Sequence, residues 1–150
     1  MNVAVKRILA ATDRSETADR AVLWAADMAE RYDAELLLLQ VVLPGPQDAV
    51  TETDAAFAEL SAFAEQLLAR SRSRARVSID LDPSRAICDA AEEEGADVVV
   101  VGGVGMSGRK EFLLDNVPNR VSHNARCTVV IVNTMDSHRR RLSGLLGRSG

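Results

Sequence analysis

Short aliphatic runs alternate along this chain with longer segments that have helical periodicity. Residues 36–43 are apolar at almost every position, and residues 98–101 are all valine. A strand that is apolar on both faces has to be covered on both faces, as a central strand of a parallel sheet is. The alternation therefore predicts an α/β fold in which helices flank both faces of an open parallel sheet.

The predicted elements follow one another without an internal repeat. Asp82 is expected to cap the third helix, with Pro83 at its first position and Gly95 at its end. Residues 71–76 are expected to be a polar connector that precedes a half-buried edge strand. Strands are predicted at residues 3–11, 36–43, 77–81, 98–101 and 128–132, and helices at residues 17–32, 52–71, 83–94 and 117–124.

Composition excludes several classes of function. A chain of 150 residues with 3% aromatic residues predicts one domain whose core is built from Ala, Val, Leu and Ile. The net charge of −4 supplies no basic field for nucleic acid or for an anionic membrane. Cys88 and Cys127 form neither a CxxC pair nor a cysteine and histidine cluster, so neither a disulfide framework nor a zinc site is expected. We expect a cytoplasmic protein without a membrane span.

Two loops are placed to bind a ligand. In open α/β sheets, ligands bind beyond the carboxyl ends of the strands, where the strand order reverses. One such loop is Ala11-Thr12-Asp13, and the other begins at Gly102. Residues 103–108 read GxGxxG, but they follow the fourth predicted strand and no acidic residue stands about twenty positions later, so a dinucleotide fold is disfavoured. Two alternatives stay open, a backbone cradle for an anion or a tight surface turn.

Three stretches of sequence resemble the universal stress protein family, and together the resemblance spans Val3 to about Asn133. They are ILAATDRSETADRAVLWAADMAERYDAELLLLQVV, DPSRAICDAAEEEGADVVVVGGVG and NVPNRVSHNARCTVVIVNT. The resemblance implies a domain at residues 3–133 with a five-stranded sheet of order 3-2-1-4-5, as in adenine nucleotide alpha hydrolase-like proteins. Residues 134–150 would form a flexible basic tail.

The resemblance also implies an adenine nucleotide site. The ligand would be ATP or another adenine nucleotide such as cyclic AMP, with or without magnesium. No catalytic residue is implied, and at most weak ATP hydrolysis. Ala11, Thr12 and Asp13 would contact the ribose and base, and Val41 would contact adenine. Gly102 and Gly105 would contact the phosphates. Asn116 would cap the last helix at the same site, next to Val117.

The phosphate end of the implied site departs from the family pattern Gly-x-x-Gly-x9-Gly-Ser/Thr. Gly102 and Gly105 fill the first two positions, but Asp115 and Asn116 stand in the last two. A carboxylate beside a triphosphate is repulsive by roughly 1 kcal/mol or more. Three alternatives follow: an ATP-binding regulator or sensor of the stress response, a cyclic AMP-binding one, or a dimeric scaffold that has lost nucleotide binding.

The last predicted strand is apolar throughout and would lie at the end of the sheet in the family's strand order. An unprotected apolar edge is a liability. Pairing the last strands of two subunits would satisfy both edges, so we expect a homodimer, although the tail could instead cover the edge. The residues expected at the interface are Val129, Val130, Ile131 and Val132.

Overall fold

The computed structural model describes residues 4–45, 49–67, 72–103 and 117–133. Strands and helices alternate through these ranges. In the described part of the chain, no helix combines the length and the hydropathy needed to cross a bilayer. The elements are β1 (Arg7–Ala11), α1 (Glu16–Tyr32), β2 (Glu35–Val42), α2 (Ala49–Leu67), β3 (Arg72–Ile79), α3 (Pro83–Glu94), β4 (Val98–Gly102), α4 (Val117–Asn124) and β5 (Thr128–Val132).

The strands form one parallel sheet of order β3-β2-β1-β4-β5, which confirms the predicted fold class and strand order. In the central strand β1, Ala10 lies between Leu38 of β2 and Val100 of β4. Helices α1 and α2 cover one face, and α3 and α4 cover the other. Both faces of the central strands are therefore buried, as their continuous apolar sequences require.

Local sequence signals determine the ends of α3. The Asp82 carboxylate accepts hydrogen bonds from the backbone N–H groups of Ser84 at 3.1 Å and Arg85 at 3.3 Å. Pro83 occupies the first turn, where its missing N–H has no helical partner to lose. Gly95 ends the helix in the left-handed conformation, with φ of 66°. All three predicted roles are confirmed.

The start of β3 was predicted wrongly. The strand begins at Arg72 rather than at residue 77, and residues 72–76 pair with β2 instead of forming a connector. As an edge strand, β3 tolerates the arginines that obscured it, because Arg74 and Arg76 find a carboxylate partner in Glu94 of α3. The predicted position at the edge of the sheet is confirmed. Residues 1–3, 68–71 and 134–150, which include parts of the predicted first strand, the second helix and the tail, lie outside the described residues.

The ion pairs at Glu94 predict a loss of stability in acid. Hydrogen bonding by Arg74 and Arg76 lowers the pKa of Glu94 below its ordinary value of 4.5. A carboxylate with a lowered folded pKa contributes stability above its unfolded pKa, and loses it as the pH falls through the folded value. Glu94→Gln should therefore reduce the difference in unfolding free energy between neutral pH and about pH 4 by at most about 1 kcal/mol, since the pair is partly exposed.

Urea denaturation at the two pH values measures this difference. Glu65→Gln, on the exposed side of α2, is the matched control and should leave it unchanged. An equal effect of both substitutions would show that the arginine pairs do not stabilise the fold.

Candidate functional site

The predicted site residues gather at the carboxyl edge of the sheet. Thr12 and Asp13 follow β1. The strand order reverses at β1, because β2 and β3 lie on one side of it and β4 and β5 lie on the other. Gly102 is the buried last residue of β4. The side chains of Ala11, Val41 and Val117 pack in one apolar cluster on the face covered by α3 and α4. Gly105 and Asn116 lie outside the described residues.

Thr12 is almost fully buried, and its polar groups are used within the protein. Its N–H donates to the Leu39 carbonyl at 2.9 Å, which continues the pairing of β1 with β2. Its hydroxyl donates to Asp19 Oδ1 at 2.9 Å and accepts from the Arg14 N–H at 2.9 Å. Thr12 therefore fixes the start of the loop, in addition to any contact it makes with a ligand.

The two carboxylate oxygens of Asp13 differ in their surroundings. Oδ1 accepts a hydrogen bond from the Ser15 N–H at 2.9 Å and so orders the turn into α1. Oδ2 is buried, and no described residue donates to it. A buried acceptor without a donor is costly, most of all when it carries charge. This position therefore suits a ligand that brings a hydroxyl, an amino group or a cation.

The described residues contain no group of three or more His, Cys, Asp or Glu side chains that could hold a metal ion. Magnesium is commonly held by one or two carboxylates together with water and substrate phosphates. Among the described residues at the predicted edge, Asp13 has a carboxylate oxygen open for that role. Its free oxygen fits one ligand position of a magnesium ion that a nucleotide carries with it.

Gly103, which follows β4 at the start of the glycine loop (the loop that begins at Gly102), lies close to β5. Its N–H donates to the Val132 carbonyl at 2.8 Å. A Cβ at this position would lie 2.9 Å from Ile131 Cγ2 and 3.2 Å from the Val132 carbonyl oxygen. The close approach of Gly103 to β5 thus requires glycine at this position. The family resemblance implies phosphate contacts for Gly102 and Gly105. The packing role of Gly103 was not predicted from the sequence, because that role depends on a contact with residues distant along the chain.

Strand β5 lies at the edge of the sheet and pairs with β4. Ile131 is 45% exposed, and Val129, Val130 and Val132 are half-buried. The expected edge position is confirmed. The homodimer remains a prediction.

A groove of about 500 Å³ lies between α3 and α4, on a different part of the surface from Thr12, Asp13 and Val41. Two of its arginines are paired, Arg120 with Asp82 and Arg126 with Glu92. Cys88 and Cys127 also line it, and burial raises the pKa of both thiols. The thiols are therefore less readily ionised than free cysteine, which is the opposite of what a reactive nucleophile needs.

Comparison with known proteins gives one consistent result. Residues 4–133 match the model of the Universal stress protein family. A universal stress protein of Mycobacterium tuberculosis (strain ATCC 25618 / H37Rv) is 33% identical in an alignment of length 144, and the alignment covers 87% of this chain and 98% of that protein.

Solved structures agree with the sequence comparison. A universal stress protein in complex with cAMP is 28% identical, with a TM-score of 0.71 over 88% of this chain and 99% of the other. Universal stress protein UspA from Lactobacillus plantarum is 23% identical, with a TM-score of 0.72 over 88% of this chain and all of the other (100%), and supports the fold.

Proposed function

This chain belongs to the universal stress protein family, and from that premise we propose that it binds an adenine nucleotide beside Asp13 and acts as a cytoplasmic regulator or sensor of the stress response. The nucleotide would lie across the carboxyl ends of β1, β2 and β4. Its base and ribose would contact Thr12, Asp13 and Val41, and its phosphates would approach the glycine loop that starts at Gly102.

The observation that carries this proposal is the free oxygen of Asp13. Oδ2 is buried at the edge where α/β sheets bind ligands, and no described residue donates to it. Ribose hydroxyls and the adenine amino group are donors of the right kind for a carboxylate oxygen. A nucleotide would thus supply the hydrogen bond that this oxygen lacks.

Cyclic AMP is the better candidate among the adenine nucleotides. The solved relative that is 28% identical to this chain is a complex with cAMP. Asp115 stands where the ATP-binding branch of the family has glycine, and a carboxylate repels a triphosphate more strongly than a cyclic monophosphate, which carries one negative charge. We therefore expect cyclic AMP to bind more tightly than ATP.

We further propose a homodimer formed through β5. The exposed Ile131 supports it, as does the outer edge of the short apolar strand β5, with which no described strand pairs. Pairing two such edges across a two-fold axis would remove an aggregation-prone surface from each subunit. Burial raises the pKa of both thiols, which disfavours either cysteine as a catalytic nucleophile.

The alternative function is a dimeric scaffold that has lost nucleotide binding. The sequence Asp115-Asn116 favours it, because both residues depart from the family's phosphate-binding pattern. The two functions share the fold and the proposed dimer, and they differ in whether Asp13 meets a ligand.

Calorimetric titration of the purified chain with cyclic AMP, AMP, ADP and ATP, with and without magnesium, tests the proposal. Native mass spectrometry of the same sample reports any nucleotide that remains bound after purification. We expect micromolar binding of at least one adenine nucleotide, cyclic AMP ahead of ATP, and no binding of GTP as the control. Absence of binding by all four adenine nucleotides would favour the scaffold.

A further inference from the structure

We propose that Asp19 and Arg14 form the positioning device of this site, holding Asp13 in place for its ligand through a closed ring of contacts with Thr12. Neither residue belongs to the site predicted from the sequence. The inference rests on the proposed nucleotide function and adds to it the residues that keep the site ordered before the ligand arrives.

The ring is closed by three contacts. The Thr12 hydroxyl donates to Asp19 Oδ1 at 2.9 Å, and the Arg14 N–H donates to the Thr12 hydroxyl oxygen at 2.9 Å. The Arg14 guanidinium then returns to the Asp19 carboxylate, with Nε 3.2 Å from Oδ1 and Nη2 3.2 Å from Oδ2. Such a two-point contact fixes the orientation of both groups as well as their distance.

The ring surrounds the residue that the ligand is proposed to meet. Asp13 is the link between Thr12 and Arg14, so both of its peptide bonds are held by ring members. Arg14 has φ of 67°, a left-handed conformation that is unfavourable for a residue with a Cβ and persists where surrounding contacts impose it. That conformation turns the chain back toward α1. Without the ring, fewer contacts would hold the loop in the conformation that keeps Asp13 Oδ2 buried and directed at the site.

The ring is also anchored to α2, which makes it more than a local turn. The centre of the Arg14 guanidinium lies 4.6 Å from the centroid of the Phe63 ring, and Arg14 Nη1 is 3.5 Å from the Glu59 carbonyl oxygen. The side chains of Arg14 and Asp19 are only 27% and 22% exposed, so their attraction is screened less than that of a surface pair. Two helices thus hold three consecutive loop residues.

The test compares Asp19→Asn with Asp27→Asn. Asparagine at position 19 keeps an oxygen for the Thr12 hydroxyl but removes the charge that holds Arg14. Asp27 forms an exposed ion pair with Arg31 on the same helix, at 3.0 Å, and its substitution removes a carboxylate remote from the loop. In calorimetric titration with cyclic AMP, we expect Asp19→Asn to weaken binding about tenfold and Asp27→Asn to change it by less than about twofold.

A double-mutant cycle separates positioning from direct ligand contact. If Thr12 and Asp19 act together through the ring, adding Asp19→Asn to Thr12→Val should weaken cyclic AMP binding little more than Thr12→Val alone, whatever direct contact Thr12 also makes with the nucleotide. If the fold-changes in affinity of the two single variants multiply in the double variant, the two residues act independently, and this result would overturn the proposal. Equal affinities of Asp19→Asn and Asp27→Asn in a protein that does bind cyclic AMP would also overturn it.

Amide hydrogen exchange without nucleotide distinguishes failure of the ring from failure of the proposed function. Exchange at the Arg14 and Ser15 amides should accelerate in Asp19→Asn and not in Asp27→Asn. If no nucleotide binds to the unchanged protein, the proposed function fails, and with it the positioning role, whereas accelerated exchange would still identify the ring as the element that orders the loop. Unchanged exchange together with unchanged affinity contradicts the ring alone.

Discussion

Replacing Ile131 with proline should convert the proposed dimer to a monomer while leaving the subunit folded. The Val132 carbonyl accepts from Gly103, so the backbone groups of Val132 face β4. In a parallel strand, alternate residues face the same neighbour, which places the backbone of Val130 toward β4 and that of Val129 and Ile131 toward the open edge. Proline at position 131 therefore removes a donor on the side where no described strand pairs with β5 and where the partner strand is proposed to lie.

We expect the dimer dissociation constant to rise by on the order of a hundredfold, since the proline ring also occupies the space of the incoming strand. Analytical ultracentrifugation over a concentration series measures the change, and circular dichroism checks the fold. Ile131→Val is the matched control, because it keeps the N–H and the apolar character. A dimer that survives Ile131→Pro would place the interface elsewhere, and a monomeric unchanged protein would contradict dimer formation itself.

Asp13→Asn should weaken adenine nucleotide binding by about tenfold to a hundredfold, the effect of losing a hydrogen bond to a charged group. The asparagine oxygen would still accept from the Ser15 N–H, as Oδ1 does now at 2.9 Å. Its amide nitrogen would then occupy the place of the buried Oδ2 and present donors to the donors of the ligand. The turn should stay ordered while the ligand contact is lost.

Comparison with Asp13→Ala separates the two roles of this residue. Alanine removes both oxygens, so it should lower the melting temperature as well as the affinity, whereas asparagine should lower the affinity alone. Titration calorimetry and thermal unfolding of the two variants supply the measurements. Affinity retained in Asp13→Asn would mean that Asp13 orders the turn and meets no ligand.

The elements whose limits are encoded locally were predicted well from the sequence. Asp82, Pro83 and Gly95 define α3 through their own backbone preferences, so no distant contact is needed to recognise them. The beginning of β3 was missed because its arginines read as a polar connector, whereas in the structure Arg74 and Arg76 find carboxylate partners on α3, such as Glu94. Those partners are distant in sequence, and periodicity does not report them.

The sequence indicated the position of the candidate site but not all of its contacts. Asp13 was identified from its place after the first strand. The structure shows that its Oδ1 orders the turn into α1 and that its Oδ2 accepts from no described residue, while its contact with a ligand stays a prediction. The contacts of Arg14 and Asp19 were not predictable. They depend on a left-handed backbone and on the packing of α2 against the loop, neither of which has a signature in the residues themselves.

The close contact between Gly103 and β5 connects the proposed nucleotide site with the proposed dimer interface. The glycine loop begins on one side of a strand that is five residues long, and the proposed partner subunit would pair with its other side. Displacement of Gly103 by a phosphate would press on Ile131 and Val132, since a single additional carbon atom already fills the space there. Thermodynamic linkage then requires reciprocity. If bound nucleotide changes the equilibrium constant for subunit association by some factor, association changes the affinity for the nucleotide by the same factor.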